Sequence, residues 1–227
     1  FTFFMCLKSE IDRHQPQKVY VVSEGRPRHR LVENPQYKAN REGIKDENFH
    51  RQKRDIFELC KLLPVTFIRH CDYECDDVIG HLAVEDHKND EVVICSSDSD
   101  FIQLLENENV SLWNPVKKSF VDPWPVDYLV WKSLRGDKTD NVPGIKGVGD
   151  KTAMKLAKDE NSLLTFLESG NRKEIYNSAM AQIRLSKISD NNFDMCDYTF
   201  NPHELKSQFK IRGFDSIVKK SWNKWLE

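Results

Sequence analysis

Seven carboxylates stand out in the middle of this 227-residue chain because they fall in three tight groups: Glu74, Asp76 and Asp77, then Asp98 and Asp100, then Asp137 and Asp140. Each of the first two groups follows an apolar, β-branched run and opens a helical pattern. An Asp near a helix start ordinarily caps it. Capping accounts for one acid per helix start and accounts poorly for three groups. Seven carboxylates gathered at one edge would repel one another and raise their pKa values, a penalty that a divalent cation removes. All-oxygen sites suit Mg²⁺ or Mn²⁺. Two or more such ions suit phosphodiester hydrolysis, one lowering the pKa of a water nucleophile and another stabilising the leaving oxygen. Glu74 and Asp77, three residues apart, share a helical face. A zinc reading of His70, Cys71, Cys75 and His81 is much weaker, since their spacing matches no standard zinc pattern.

A second motif follows the last acidic group. Gly144, Gly147 and Gly149 punctuate a tight turn between Asp140 and a helix expected over 151–158, which reads as a helix–hairpin–helix. Its glycines let backbone approach a phosphate, the helix start offers free N–H groups, and Lys146 and Lys151 add positive charge.

Composition frames these sites. With 39% hydrophobic and 31% charged residues, the chain is globular and neither disordered nor collagenous. Its net charge of −2 hides a segregation: nine basic against four acidic residues over 26–54, six against 16 over 71–140, and six against three over 203–227. Basic flanks suit a polyanion; an acidic middle repels one unless its carboxylates hold cations. Nothing approaches the ~18 apolar residues of a membrane span, and Lys8 and Glu10 break the opening apolar run that a secretory signal would need. Six scattered cysteines without a CxxC read as reduced thiols, which places the protein in the cytoplasm. The five tryptophans read mainly as packing anchors, with base stacking the rarer use.

The elements that must position these groups alternate. Phe4, Leu7 and Ile11 mark an amphipathic helix over 1–14. Strands are expected at 18–23, 64–68, 91–95, 110–113 and 119–121, with helices at 41–63, at 75–86 and after Asp100. Residues 24–40 read as loop. The first half of the 41–63 helix is polar nearly all round and is expected to stand off the core. Beyond residue 123 the pattern predicts helices and no strand. The fold class is thus α/β, a parallel sheet flanked by helices, with acidic groups at the carboxyl ends of its strands, where ligands gather. The organisation expected is a core over 1–122 and a helical region over 123–227, with the helix–hairpin–helix at about 136–158.

Together, Tyr37-Lys38-Ala39-Asn40-Arg41, Glu74-Cys75-Asp76-Asp77, Ser97-Asp98-Ser99-Asp100-Phe101 and the run from Gly136 to Gly149 resemble the structure-specific 5′ nuclease family of phage 5′–3′ exonucleases, flap endonucleases and the 5′ nuclease domain of bacterial DNA polymerase I. The resemblance covers nearly the whole chain and implies a PIN-like fold with a helical arch at about 38–58. It implies metal ligands at Glu74, Asp76, Asp77, Asp98, Asp100, Asp137 and Asp140, and Lys38 and Arg41 on the scissile phosphate. It implies DNA contacts at Tyr37, Gly144, Lys146, Gly147, Gly149 and Lys151, with a K⁺ held by backbone carbonyls of the hairpin. The expected activity is Mg²⁺-dependent trimming of 5′ flaps or RNA primers on branched DNA or an RNA–DNA hybrid, by a monomer, in a bacterial cell or a phage-infected host. Two departures bear on it. The family's first strand carries an Asp that would lie upstream of Phe1. Glu24 stands where the family often has Asp, one methylene longer, so the ion it would hold shifts. A DNA-binding module of the same fold with little or no nuclease activity is the rival reading, and a PIN-like ribonuclease a third, disfavoured because the hairpin and the Tyr37–Arg41 segment have no role in it.

Overall fold

The computed structural model describes residues 1–41 and 47–225, the side chain of Arg41 excepted. The chain forms two compact units, one from residues 1–24, 43–71 and 192–227 and the other from residues 25–42 and 72–191.

In the first unit Tyr20–Ser23 runs parallel to Thr66–His70, Tyr20 opposite Thr66 and Ser23 opposite Arg69. Phe193–Asp197 pairs antiparallel with the same strand, His70 opposite Phe193. The parallel pair matches expectation; the strand beyond residue 123 corrects it. Four of its five residues are exposed, so ladder hydrogen bonds rather than side-chain burial hold it, and its sequence lacks the half-buried alternation that marks a strand. The core gathers Phe4, Leu59, Cys60, Leu205, Phe209 and Ile217. The Phe209 ring lies 5.3 Å from those of Phe4, Phe214 and Trp225, within the range where tilted aromatic pairs attract. Trp222 and Trp225 belong to this core, while Lys219, Lys220 and Lys224 face solvent. The helix Glu47–Cys60 is exposed over residues 47–52 and buried at Leu59 and Cys60. Its first half therefore stands clear of the core, as its polar sequence predicts. The start expected at 41 falls on the 3-10 turn Ala39–Arg41, and residues 42–46 of the 38–58 arch lie outside the described residues.

In the second unit Val92–Cys95 runs parallel to Val110–Asn114, and Ser119–Phe120 folds back antiparallel to it. The helix Cys75–His81 continues into a π-helical turn, Leu82–Asp86, and Ala83, Ile94, Phe101, Leu104, Val110 and Leu112 form the core beneath. The stretch expected to be loop holds a six-residue helix, Arg28–Glu33, and a 3-10 turn, Ala39–Arg41. No apolar periodicity announces so short a helix; the burial of Arg30 fixes it. The helices Tyr128–Arg135, Asp150–Ala157, Glu160–Leu167 and Arg172–Ile183 follow, with Tyr128, Trp131, Leu134, Ile145, Ala153 and Leu156 packed between them. Gly136–Asp137 pairs with Val142–Pro143 in a two-residue antiparallel ladder, a second strand pair where helices alone are expected. Trp124 packs 4.7 Å from Trp131 and Trp113 packs 5.1 Å from Phe120, ring to ring, which accounts for the remaining tryptophans as anchors. Among the described residues no helix is long and apolar enough to cross a membrane.

The helix Tyr128–Arg135 is started by Asp127, whose side chain accepts the Val130 N–H at 2.9 Å. Asp127→Ala is expected to cost about 1 kcal/mol and to lower the melting temperature by roughly 2–4 °C in calorimetry.

Candidate active site

The functional side chains of the second unit gather around two buried or half-buried cations. Arg30, on the helix Arg28–Glu33, is buried and uses all five of its N–H donors. Its Nη1 donates to Glu74 Oε2 at 2.8 Å and Asp77 Oδ2 at 2.6 Å, and its Nη2 to Asp77 Oδ1 at 2.7 Å and the Arg184 carbonyl at 3.0 Å. Its Nε donates to the Gln182 carbonyl at 2.8 Å. Burial works against the guanidinium charge, and Asp77 and Glu74 overcome it, leaving the pKa raised. Glu74 and Asp77 also form a capping box at the start of Cys75–His81. The second Asp77 oxygen pair is completed by the Ser186 N–H at 2.7 Å. Asp77 is fully buried with both oxygens bonded to protein, so it acts as the anion of Arg30 and not as an open metal ligand, a correction to the sequence reading.

Tyr37 and Lys38 approach the same acids. The Tyr37 hydroxyl donates to Glu74 Oε2 at 2.9 Å and lies 3.4 Å from Asp140 Oδ2; burial, then the Glu74 charge, push its pKa well up. The Tyr37 ring is buried. Lys38 pairs with Glu74 Oε1 at 2.5 Å and lies 3.6 Å from Asp140 Oδ2. Its backbone is left-handed, with φ of 54°, an uncommon conformation for a lysine, and its N–H donates to the Asp140 carbonyl at 3.0 Å. Asn40 Nδ2 reaches the carbonyls of Lys138 and Thr139, and Asn141 Nδ2 that of Gln36. The Tyr37–Asn40 segment is thereby tied to the loop that carries Asp137 and Asp140.

The second cation is Lys132, buried on the helix Tyr128–Arg135. Its ammonium bonds Asp100 and lies 2.7 Å from Asp137 Oδ2. Burial opposes its charge, and Asp100 and Asp137 overcome it to raise its pKa. Burial, with the charges of Asp98 and Asp137, leaves the Asp100 carboxyl raised despite Lys132. Burial would raise Asp137 too, but Lys132 and the Thr139 and Asp140 N–H groups together hold it below its ordinary value.

Asp100, Asp137 and Asp140 converge, each offering a carboxylate oxygen within 4.8 Å of the other two. The sequence reading expected all seven carboxylates at one edge; the structure brings oxygens of these three within reach of one another. The five acids Glu74, Asp77, Asp100, Asp137 and Asp140 face three cations, Arg30, Lys38 and Lys132. Two negative charges remain, and with an all-oxygen donor set this residue group fits a divalent ion. Asp98 is exposed and caps the turn Ser99–Leu104 through the Asp100 N–H at 3.0 Å. Asp76 is half-buried and accepts from Cys75 Sγ at 3.2 Å. Neither joins the convergent trio. Glu24 is exposed in the other unit, where its carbonyl accepts Arg69 Nε at 3.0 Å.

In the hairpin, a Cβ on Gly144 would stand 2.0 Å from the Arg135 carbonyl atoms. A glycine is thus required at 144 because two stretches of this chain's own backbone cross there. Gly147, with φ of +84°, and Gly149 have open space at the Cβ position, and Lys146 and Lys151 are exposed beside them.

Arg30 and Lys132 escaped the sequence reading. Nothing distinguishes Arg30 from its neighbours Arg26 and Arg28. Lys132 did carry a signal: it lies four residues after Tyr128, on the same face of a largely apolar helix, and a lysine so placed is rarely buried without a carboxylate partner.

Residues 1–127 match the family model of the 5′-3′ exonuclease N-terminal resolvase-like domain, and residues 124–195 match that of the 5′-3′ exonuclease C-terminal SAM fold. The chain belongs to the 5′-3′ exonuclease family. The two family models meet at residues 124–127. The 5′-3′ exonuclease of Aquifex aeolicus is 35% identical over 183 residues, 74% of this chain and 62% of that protein. DNA polymerase I of Thermus thermophilus is 37% identical over 145 residues, 60% of this chain and 17% of the polymerase. This member of the 5′-3′ exonuclease family therefore spans less than two thirds of either relative. Among solved structures, the bacteriophage T5 flap endonuclease in complex with DNA and metal ions aligns with a TM-score of 0.67 at 20% identity, covering 99% of this chain and 89% of that one. The T5 5′-exonuclease with divalent zinc bound aligns at 0.63 and 19% identity. These likenesses establish the α/β fold of the 5′-3′ exonuclease family for this chain.

Proposed function

We propose that this chain is a divalent-metal-dependent 5′ nuclease that hydrolyses phosphodiester bonds in DNA at 5′ flaps and 5′ ends, RNA primers included. The observation that carries the proposal is the convergence of Asp100, Asp137 and Asp140 beside the Lys38 ammonium, which is itself held between Glu74 and Asp140. Asp100, Asp137 and Asp140 would hold Mg²⁺ or Mn²⁺, with Glu74, Asp76 and Asp98 as further acids of the same unit. A bound divalent ion supplies Lewis-acid charge and a water of lowered pKa. Lys38, with Arg41, provides positive charge for the phosphate as negative charge builds on its oxygens. Arg30, by fixing Glu74 and Asp77, orients the start of Cys75–His81 and keeps Glu74 facing Lys38. Lys146, Gly147, Gly149 and Lys151 hold duplex backbone, with a K⁺ on the hairpin carbonyls, at a surface 5′ DNA reaches as a monomeric complex. The fold shared with the T5 flap endonuclease supports this reading.

The test is incubation of an end-labelled 5′-flap duplex, and of its RNA–DNA counterpart, in Mg²⁺, with gel-shift binding measured in EDTA. Product that requires the metal is expected. Binding in EDTA with no product in Mg²⁺ or Mn²⁺ would establish the non-cleaving binding module instead.

A further inference from the structure

We infer that Lys132 is an internal counter-ion of the acidic site, a positioning residue whose ammonium occupies carboxylate oxygens that a divalent cation would claim. The inference rests on the proposed reading of Asp100, Asp137 and Asp140 as metal ligands.

Three observations carry it. Lys132 is 6% exposed, and a lysine so deeply placed needs paired carboxylates to remain charged. Its Nζ bonds Asp100 Oδ1 and Asp137 Oδ2, and among the described residues these are the ion pairs that Asp100 and Asp137 make. The other Asp137 oxygen accepts the Thr139 N–H at 2.7 Å. Each Asp137 oxygen is therefore already bonded once, and a metal that takes Oδ2 shares it with the ammonium or displaces the ammonium. Asp140, the third acid, faces Lys38 instead. Lys132 is thus placed to relieve the repulsion between Asp100 and Asp137 and to keep their oxygens together without an ion. The same placement makes it a competitor when the ion arrives, because two cations held by the same oxygens disfavour each other.

The experiment uses the whole chain without nucleic acid. Mn²⁺ binding is measured by titration calorimetry for the wild type, Lys132→Met, Lys132→Gln and Lys132→Arg. Thermal unfolding is measured for each in EDTA and in saturating Mn²⁺. Both neutral variants are expected to bind Mn²⁺ about tenfold tighter, toward the low end of ordinary coupling between two ligands. They are expected to unfold at a lower temperature in EDTA, with the deficit removed by Mn²⁺, while Lys132→Arg behaves as wild type. A neutral variant that folds only in Mn²⁺ gives the same support in stronger form. A lysine with a purely structural role would weaken the protein equally in EDTA and in Mn²⁺ without tightening the metal, and that result overturns the inference. Unchanged Mn²⁺ affinity in both neutral variants overturns it as well. Failure of the wild type itself to bind Mn²⁺ is a different result: it removes the metal reading of the acids, and the inference with it.

Discussion

Arg30→Met is expected to destabilise the second unit by about 3–5 kcal/mol, because it leaves Asp77 a buried charge without its cationic partner and Glu74 with Lys38 alone. The guanidinium donates to both carboxylates and to the carbonyls of Gln182 and Arg184. Its loss therefore strips four acceptor groups together, two of them ionised and nearly inaccessible to water. Surface ion pairs are worth far less, and the prediction separates this pair from those. Urea denaturation followed by circular dichroism reads the loss as a lower midpoint at unchanged slope. The double variant Arg30→Met, Asp77→Leu is expected to recover part of it, since an apolar replacement removes the orphaned charge. A loss below about 1 kcal/mol for the single variant, the scale of exposed pairs, would show that Arg30 does not hold the Cys75–His81 helix start.

Lys38→Ala is expected to lower kcat for flap cleavage in Mg²⁺ about 10²- to 10³-fold, the range seen when one preorganised charge or donor is taken from a developing anion. Lys38 is set up for this by its surroundings. Its left-handed backbone and its N–H bond to the Asp140 carbonyl fix the stem, while Glu74 and Asp140 hold the ammonium beside the acidic trio. The loss should fall on kcat with KM changed little, because the charge matters most where charge develops. Lys38→Arg should retain part of the rate. A KM increase at unchanged kcat would mean that Lys38 only helps bind DNA.

The acidic site was legible where repetition made capping an insufficient account. Three groups of acids, two of them after strand ends, pointed to seven carboxylates at one edge, and the structure puts oxygens of Asp100, Asp137 and Asp140 together. Capping nevertheless explains part of the pattern: Asp98 caps its own turn, and Glu74 with Asp77 caps the next helix start. The cations were less visible. A buried Arg30 looks in sequence like any other residue of a basic stretch, and its role depends on carbonyls of Gln182 and Arg184, more than 150 residues away. The strongly apolar parallel strands announced themselves, whereas Phe193–Asp197 did not, since an exposed edge strand needs no hydrophobic alternation. Glycine type was a sound marker of a constrained turn but not of its cause. Gly144 answers to the Arg135 backbone, and Gly147 alone of the two shows the positive φ that its type permits.

The most direct test of the account is cleavage of a 5′-flap duplex by the wild type and by Asp100→Ala, each in Mg²⁺ and in EDTA, with circular dichroism confirming that both chains are folded. Product is expected from the wild type in Mg²⁺ only and none from the folded variant. Cleavage by the wild type in EDTA, or wild-type rates from Asp100→Ala, would contradict the assignment of the Asp100, Asp137 and Asp140 cluster as the metal centre of a nuclease.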